Sequence, residues 1–187
     1  MENTTIKNQA PNVVADIREK GKKDGFYSLM WYKNQVRSLM SSKSQMRADL
    51  RNEAKITTNM QIGKLYLFNY DPKLKKTLPV YDTYPLVFPF NYAPGGFRGI
   101  NLHYLPYGFR IYIIEKMNPY LIRSADNEVK RAKLSWAILN HIAGIGSLND
   151  AVKHYLSPHI RSSFMEINYN DWRVAAALPI EHFVRKS

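Results

Sequence analysis

Apolar positions fall into three regimes along the chain. Residues 1–25 are dominated by Asn, Lys, Asp and Gly, and Gly21-Lys22-Lys23-Asp24-Gly25 is a polar loop sequence. Too few apolar side chains are present there to fold unaided, so residues 1–27 read as a flexible basic arm. From Ser28 the pattern changes: Leu29, Tyr32, Val36, Leu39, Met46 and Leu50 recur at spacings of three, four or seven. That periodicity predicts a long amphipathic helix, capped by Ser28 and reaching about Ala54, within a segment 28–60. Its weak point is Ser41-Ser42, where hydroxyl side chains compete with the backbone for hydrogen bonds.

Residues 61–105 switch to short aromatic and β-branched runs. Gly63–Tyr70, Pro85–Phe90 and Phe97–Tyr104 are separated by turn chemistry at Asp71-Pro72, Thr83-Tyr84-Pro85 and Pro94-Gly95-Gly96. They read as strands of a small antiparallel sheet or SH3-like barrel. Alternation places Ile100, Leu102 and Tyr104 on one face of the third strand and Asn101 and His103 on the other. Pro85 and Pro89 cannot donate to a ladder, which restricts the second strand to an edge or to pairing along part of its length.

The rest of the chain reads as helical. Pro106 opens a helix through Phe109, Tyr112, Ile113 and Met117, stopped by Pro119. Asp126 caps a second, with Val129, Leu134, Ala137, Ile138 and His141 on one side and an end at Gly144 or Gly146. Ser147-Leu148-Asn149-Asp150 opens a short helix to Leu156. A strand at 163–167 and a short helix capped by Asn170, with Trp172, Val174 and Leu178 inward, complete the chain. The fold class is therefore α+β: arm, long helix, and an α+β domain over 61–187 whose C-terminal half is helical.

Composition narrows the chemistry. The 187 residues carry 27 Lys and Arg against 15 Asp and Glu, a formal net charge of +12, which points to a polyanion or an acidic partner surface. The excess is spread over the chain, so no short detachable tail accounts for it. There is no cysteine, which excludes a disulfide framework, a thiolate metal site and a Cys nucleophile. No apolar run is long enough to span a membrane, and Met1-Glu2-Asn3-Thr4-Thr5 lacks a signal-peptide core, so no membrane insertion is expected.

The most informative pattern is a row of cations. Lys33 and Arg37, then Lys43, Arg47, Arg51 and Lys55, follow one another at four-residue spacing within each group, which stacks them on one helix face. Such a row repels itself unless something negative lies against it. A phosphate backbone or an acidic protein groove supplies that charge. The bland alternative is a solvated face partly neutralised by Asp49 and Glu53. Leu29, Tyr32, Val36 and Leu39, opposite the row, are the candidate partner-docking stripe. Aromatic residues crowd between 66 and 112; they suit stacking on unpaired bases, but a small sheet needs them as core, and the interior reading is preferred.

Catalytic signatures are sparse. The five histidines include no His-Glu-x-x-His helix and no zinc-like spacing. Glu53-Ala54-Lys55 and Glu128-Val129-Lys130 match the Glu-x-Lys fragment of metal nucleases, but both fall on predicted helices, where that chemistry does not place it. No metal or cofactor is expected.

Gly63-Lys64-Leu65-Tyr66-Leu67-Phe68-Asn69-Tyr70-Asp71-Pro72-Lys73, Leu78–Val87 and Gly95-Gly96-Phe97-Arg98-Gly99-Ile100-Asn101-Leu102-His103-Tyr104-Leu105-Pro106 together resemble a group of tailed-bacteriophage virion proteins. These occur in T-even-like and related phages and are of structural or DNA end protector type. The resemblance covers roughly residues 60–187, including Asn170-Asp171-Trp172 and Leu178–Phe183; the first sixty residues take no part in it. It implies a non-enzymatic role in the virion, at head, neck or tail, docked through the basic arm and helix on other virion proteins, on packaged double-stranded DNA, or on both, with host cytoplasm as the site of assembly. It carries over no catalytic residue. Two alternatives accompany it: a protein that binds and protects DNA ends, and an SH3-like-barrel nuclease similar to toxin endoribonucleases. For the latter, Arg98 with His103 is the one nearby pair of cation and base.

Overall fold

The computed structural model describes residues 15–17, 19, 29–38, 42–123 and 127–185. Two helices, α1 (Leu29–Ser38) and α2 (Lys43–Glu53), precede a six-stranded antiparallel sheet of β1 (Lys55–Thr57), β2 (Leu65–Leu67), β4 (Leu86–Ala93), β5 (Gly96–Asn101), β6 (Val152–Leu156) and β7 (Phe164–Ile167), in the order β1-β7-β2-β4-β5-β6. Helices α3 (Tyr107–Arg123) and α4 (Glu128–Ala143) connect β5 to β6, and α5 (Trp172–Ala177) follows β7. A separate ribbon pairs β3 (Val80–Asp82) with β8 (Phe183–Arg185).

Side-chain alternation assigns the two faces of the sheet. Leu65, Leu67, Leu86, Phe88, Phe90 and Ile100 point toward the helices, where they meet Ile113, Ile114 and Met117 of α3, Leu139 and Ile142 of α4, and Trp172 of α5 in the main core. Tyr66, Phe68, Tyr70, Val87, Phe97, Tyr155 and Phe164 form a second core on the opposite side. There Phe68 stands edge-on to Phe97, Tyr155 and Phe164 at 5.1–6.1 Å between centroids. The interior reading of the aromatic cluster therefore holds for these rings, whereas Tyr92, Phe109 and Tyr112 are exposed. With both faces buried in this way the sheet stays open, and the barrel offered at the sequence level does not close: β1 and β6 are its edges among the described residues.

Several expectations are corrected by packing. Strand β4 is central, yet its prolines act as anticipated on pairing: Pro85 precedes the strand, β2 pairs only at Leu86 and Val87, and the register against β5 slips between Pro89 and Asn91. The Pro89 carbonyl accepts instead from the Gly63 N–H. Gly63 has φ +83°, and a Cβ there would lie 2.3 Å from Ser135 Cβ of α4, so this turn needs glycine for conformation and for space. Helix α3 does not stop at Pro119 but continues to Arg123, the proline removing one intrahelical donor without ending the helix. The buried face of α4 is Ser135, Leu139 and Ile142, one position round from the expected stripe, and Asn127 rather than Asp126 caps it. Residues 152–156 form β6 and not a helix, since Tyr155 pairs with Phe97 across the sheet.

The long helical segment is divided next to its weak point, Ser41-Ser42. Helix α1 ends at Ser38 and α2 restarts at Lys43, with the Ser42 hydroxyl accepting from the Gln45 N–H at 3.1 Å. Residues 15–17, placed in the arm by sequence, are helical, and Ile17 is 1% exposed within the main core. No helix among the described residues is long and apolar enough to cross a membrane.

Candidate nucleic-acid interface

Helix α2 is fixed by Met46, Asp49 and Leu50, all buried. At 100° per residue, Lys43 lies beside that inward stripe, Arg47 on the flank of the helix and Arg51 nearly opposite it. The row therefore starts at the seam where the helix meets the body and turns outward to Arg51. Lys43 reaches Glu181, with Nζ 3.1 Å from its carbonyl and 3.8 Å from Oε1. The Arg47 guanidinium lies over the Tyr84 ring, 5.1 Å from its centroid. Arg51, in the last turn, is exposed. Burial pushes the Tyr84 phenol up, and the charges of Arg47 and Arg51 pull it partly back. Among the described residues no carboxylate pairs with Arg47 or Arg51, whereas Lys64, Lys75 and Arg161 are each paired with one.

The structure thus brings three of the six sequence-nominated cations together. Lys55 leaves the row because α2 ends at Glu53; it sits on β1, exposed, in register with Glu166. Lys33 and Arg37 are on α1, but their side chains lie outside the described residues, as do those of Leu29, Tyr32 and Leu39. Val36 is 6% exposed and packs in the main core, so it is occupied by this chain's own interior.

Beside Arg47 is a cleft of about 300 Å³ lined by Arg47, Asn69, Thr83, Tyr84 and His182. Its walls are held from behind by a buried polar cluster. Asp82 Oδ2 accepts from Asn101 Nδ2 at 3.2 Å and lies 2.7 Å from His103 Nδ1; Asp82 Oδ1 accepts from the backbone N–H groups of Tyr84, at 3.0 Å, and His182, at 3.2 Å. One carboxylate therefore ties together the two neighbouring chain segments that meet in the cleft wall. Burial works against its charge, but the hydrogen bond and charge of His103, then the Tyr84 N–H and Asn101, hold the Asp82 carboxyl below the usual carboxylate range. Thr83 adds backbone and side-chain contacts to His182.

A second, wider groove of about 680 Å³ is lined by Thr58, Asn59, Tyr92, Ser157, Ser162 and Ser163 over the aromatic core, with no charged side chain in its wall. The two concavities meet where the Asn69 N–H donates to Ser162 Oγ at 2.9 Å.

The pair nominated for nuclease chemistry is not assembled. Asn101 and His103 do not alternate on a strand face, because β5 ends at Asn101 and residues Leu102–Tyr104 form a 3-10 turn capped by the Asn101 side chain. His103 is sealed with Asp82, while Arg98 is exposed over the Phe90 ring. Among the described residues no three His, Asp or Glu side chains are grouped to hold a metal ion.

Sequence reasoning missed Thr83, Tyr84, Asn69 and His182. Asp82 followed by Thr83-Tyr84 is a legible Asx-turn, since the carboxylate captures the N–H two residues on. Nothing local announces His182, which arrives from the far end of the chain.

No curated protein matches the chain, and no solved structure does. The family described as phage T4 terminal DNA protecting protein matches residues 2–187, taking in the first sixty residues that the sequence resemblance left out, and the chain belongs to that family.

Proposed function

We propose that this protein binds the ends of duplex DNA and shields them without catalysis, using Lys43, Arg47 and Arg51 as its phosphate contacts. The observation that carries the reading is the pair Arg47 and Arg51: two guanidinium groups without a carboxylate partner among the described residues, one helical turn apart, the first of them lining a polar cleft. The net charge of +12 and the description of the family support it. The protein would be carried in the phage particle at head, neck or tail, with Leu29, Tyr32 and Leu39 left to dock on virion neighbours and Lys33, Arg37 and Lys55 widening the basic face.

Competition between linear and covalently closed duplex of equal length tests the proposal. The linear form should bind more tightly and resist exonuclease digestion when protein is present, and purified protein should leave DNA uncut with or without magnesium. Replacing Lys43, Arg47 and Arg51 by Gln should reduce the slope of log K against log salt by about 2–3, near one per lost phosphate contact. An unchanged slope, or cleavage by the purified protein, would overturn it.

A further inference from the structure

We infer that the cleft between Arg47, Asn69, Thr83 and His182 is a seat for the terminal phosphomonoester of a DNA strand; the inference rests on the end-binding reading above and names the feature by which an end is told from the interior of a duplex. A duplex end differs from its middle in presenting a bare base-pair face and, where phosphorylated, a phosphate bonded to one sugar instead of two. Such a monoester carries roughly −1.5 to −2 charges at neutral pH with three strong acceptor oxygens, against a single charge on an internal diester.

The cleft suits the second feature. It gathers Arg47, Asn69, and Thr83 and His182, whose hydroxyl and Nδ1 are already hydrogen-bonded to each other, in about 300 Å³, which is room for a phosphoryl group with its sugar and not for a duplex. Stacking on a base pair is disfavoured there, because the Tyr84 ring is already covered by Arg47. That same contact orders Arg47: a guanidinium stacked on an aromatic face keeps its in-plane N–H groups free for bidentate hydrogen bonds. The nearby carboxylates do not oppose an anion. Asp82 is 1% exposed with both oxygens occupied by hydrogen-bond donors, and Glu181 has Lys43 beside it. Arg51, one turn further along α2, is placed to take a following phosphate of the same strand. The walls are preorganised, since Asp82 fixes the backbone at Tyr84 and His182 before any ligand arrives.

The experiment uses the full chain and four probes: a blunt duplex with 5′-phosphate ends, the same duplex with 3′-phosphate ends, the same with hydroxyl ends only, and a covalently closed duplex. One of the phosphorylated duplexes should bind about tenfold more tightly than the hydroxyl-ended one, as expected for added charge-assisted hydrogen bonds, and its identity tells which strand terminus is seated. The preference should fall toward one in Arg47→Lys, which keeps the charge and loses the fork, and in Thr83→Val, with folding of both verified by thermal melts. If the protein prefers linear to closed duplex but ignores terminal phosphate, or if the preference survives both substitutions, the cleft is not the seat and the end-binding reading stands. If linear and closed duplex bind alike, the end-binding reading itself fails.

Discussion

Removing the Asp82 carboxylate should be among the most damaging single changes in the protein. It accepts from four donors: His103 Nδ1, Asn101 Nδ2 and the backbone N–H groups of Tyr84 and His182. In Asp82→Ala the two backbone donors are only partly buried and can recruit water, so the loss is governed by the imidazole and the carboxamide. His103 and Asn101 are sealed at 4% and 0% exposure. An orphaned buried donor costs about 1–3 kcal/mol, more when it loses a hydrogen bond to a charged group, and two such donors are left here. The expected loss is therefore about 3–5 kcal/mol, a fall of about 6–20 °C in Tm for a chain of this size. Urea denaturation should show it as a lower midpoint at unchanged slope. Because removing both partners leaves fewer donors stranded, Asp82→Ala combined with His103→Ala should cost well under the sum of the two single changes. A loss below about 1 kcal/mol, or strict additivity, would refute the assignment of this cluster as the anchor of the cleft.

The same carboxylate fixes a pH dependence. Its folded-state pKa is depressed, so the unfolded chain takes up the proton first as acid is added. The stabilisation is present in full above the ordinary carboxylate pKa of about 4 and is lost as the pH falls through the lower folded value. The stability gap between wild type and Asp82→Ala should then be constant from neutral pH down to about 4 and shrink below it. A gap that widens in acid would contradict the sign.

Two further substitutions test local claims. Gly63→Ala forces a side chain into a left-handed backbone conformation and against Ser135 of α4, and should destabilise by about 2–4 kcal/mol in denaturant titration; a neutral result would mean that the turn is free to relax. Ser42→Ala removes the α2 cap at a cost of about 1 kcal/mol and, by fraying the turn that carries Lys43, should weaken DNA binding more than it lowers Tm; equal binding with a lowered Tm would separate the helix from the interface.

The α+β class, the strands β2, β4, β5 and β7 and the sheet's turn chemistry were readable because each rests on local signals, whereas β1, β3, β6 and β8 were not read as strands. Short aromatic and β-branched runs between turn residues marked β2, β4 and β5, and the prolines of β4 announced where its ladder fails. Errors arose where a tertiary partner outweighed the local pattern. Residues 152–156 carry a capping sequence before them yet become a strand, because β5 offers Phe97 to Tyr155 and completes an aromatic core. The stripe on α4 was misjudged by one position because Ser135, a polar residue, turns inward to meet the Gly63 turn. Ile17 sits in a segment too polar to suggest a core residue, and only the fold supplies a cavity for it.

For the interface, the four-residue spacing identified which cations share a helix face but not what that face meets. Placing Lys43, Arg47 and Arg51 opposite the apolar stripe of the preceding helix assumed one continuous rod. The break at Ser42 gives α2 its own register, set by Met46 and Leu50, and turns Lys43 to the seam with the body and Arg47 into a cleft wall, while Arg51 stays on the solvent side. That shift changes the chemistry available to Lys43 and Arg47. On an open face they are mobile point charges whose worth is erased by salt. Against Tyr84 and a cleft wall fixed by Asp82, Arg47 becomes a directional donor that can distinguish one phosphate from another. Specificity for an end would then depend less on how many cations the chain carries than on the buried carboxylate that holds their neighbours in place.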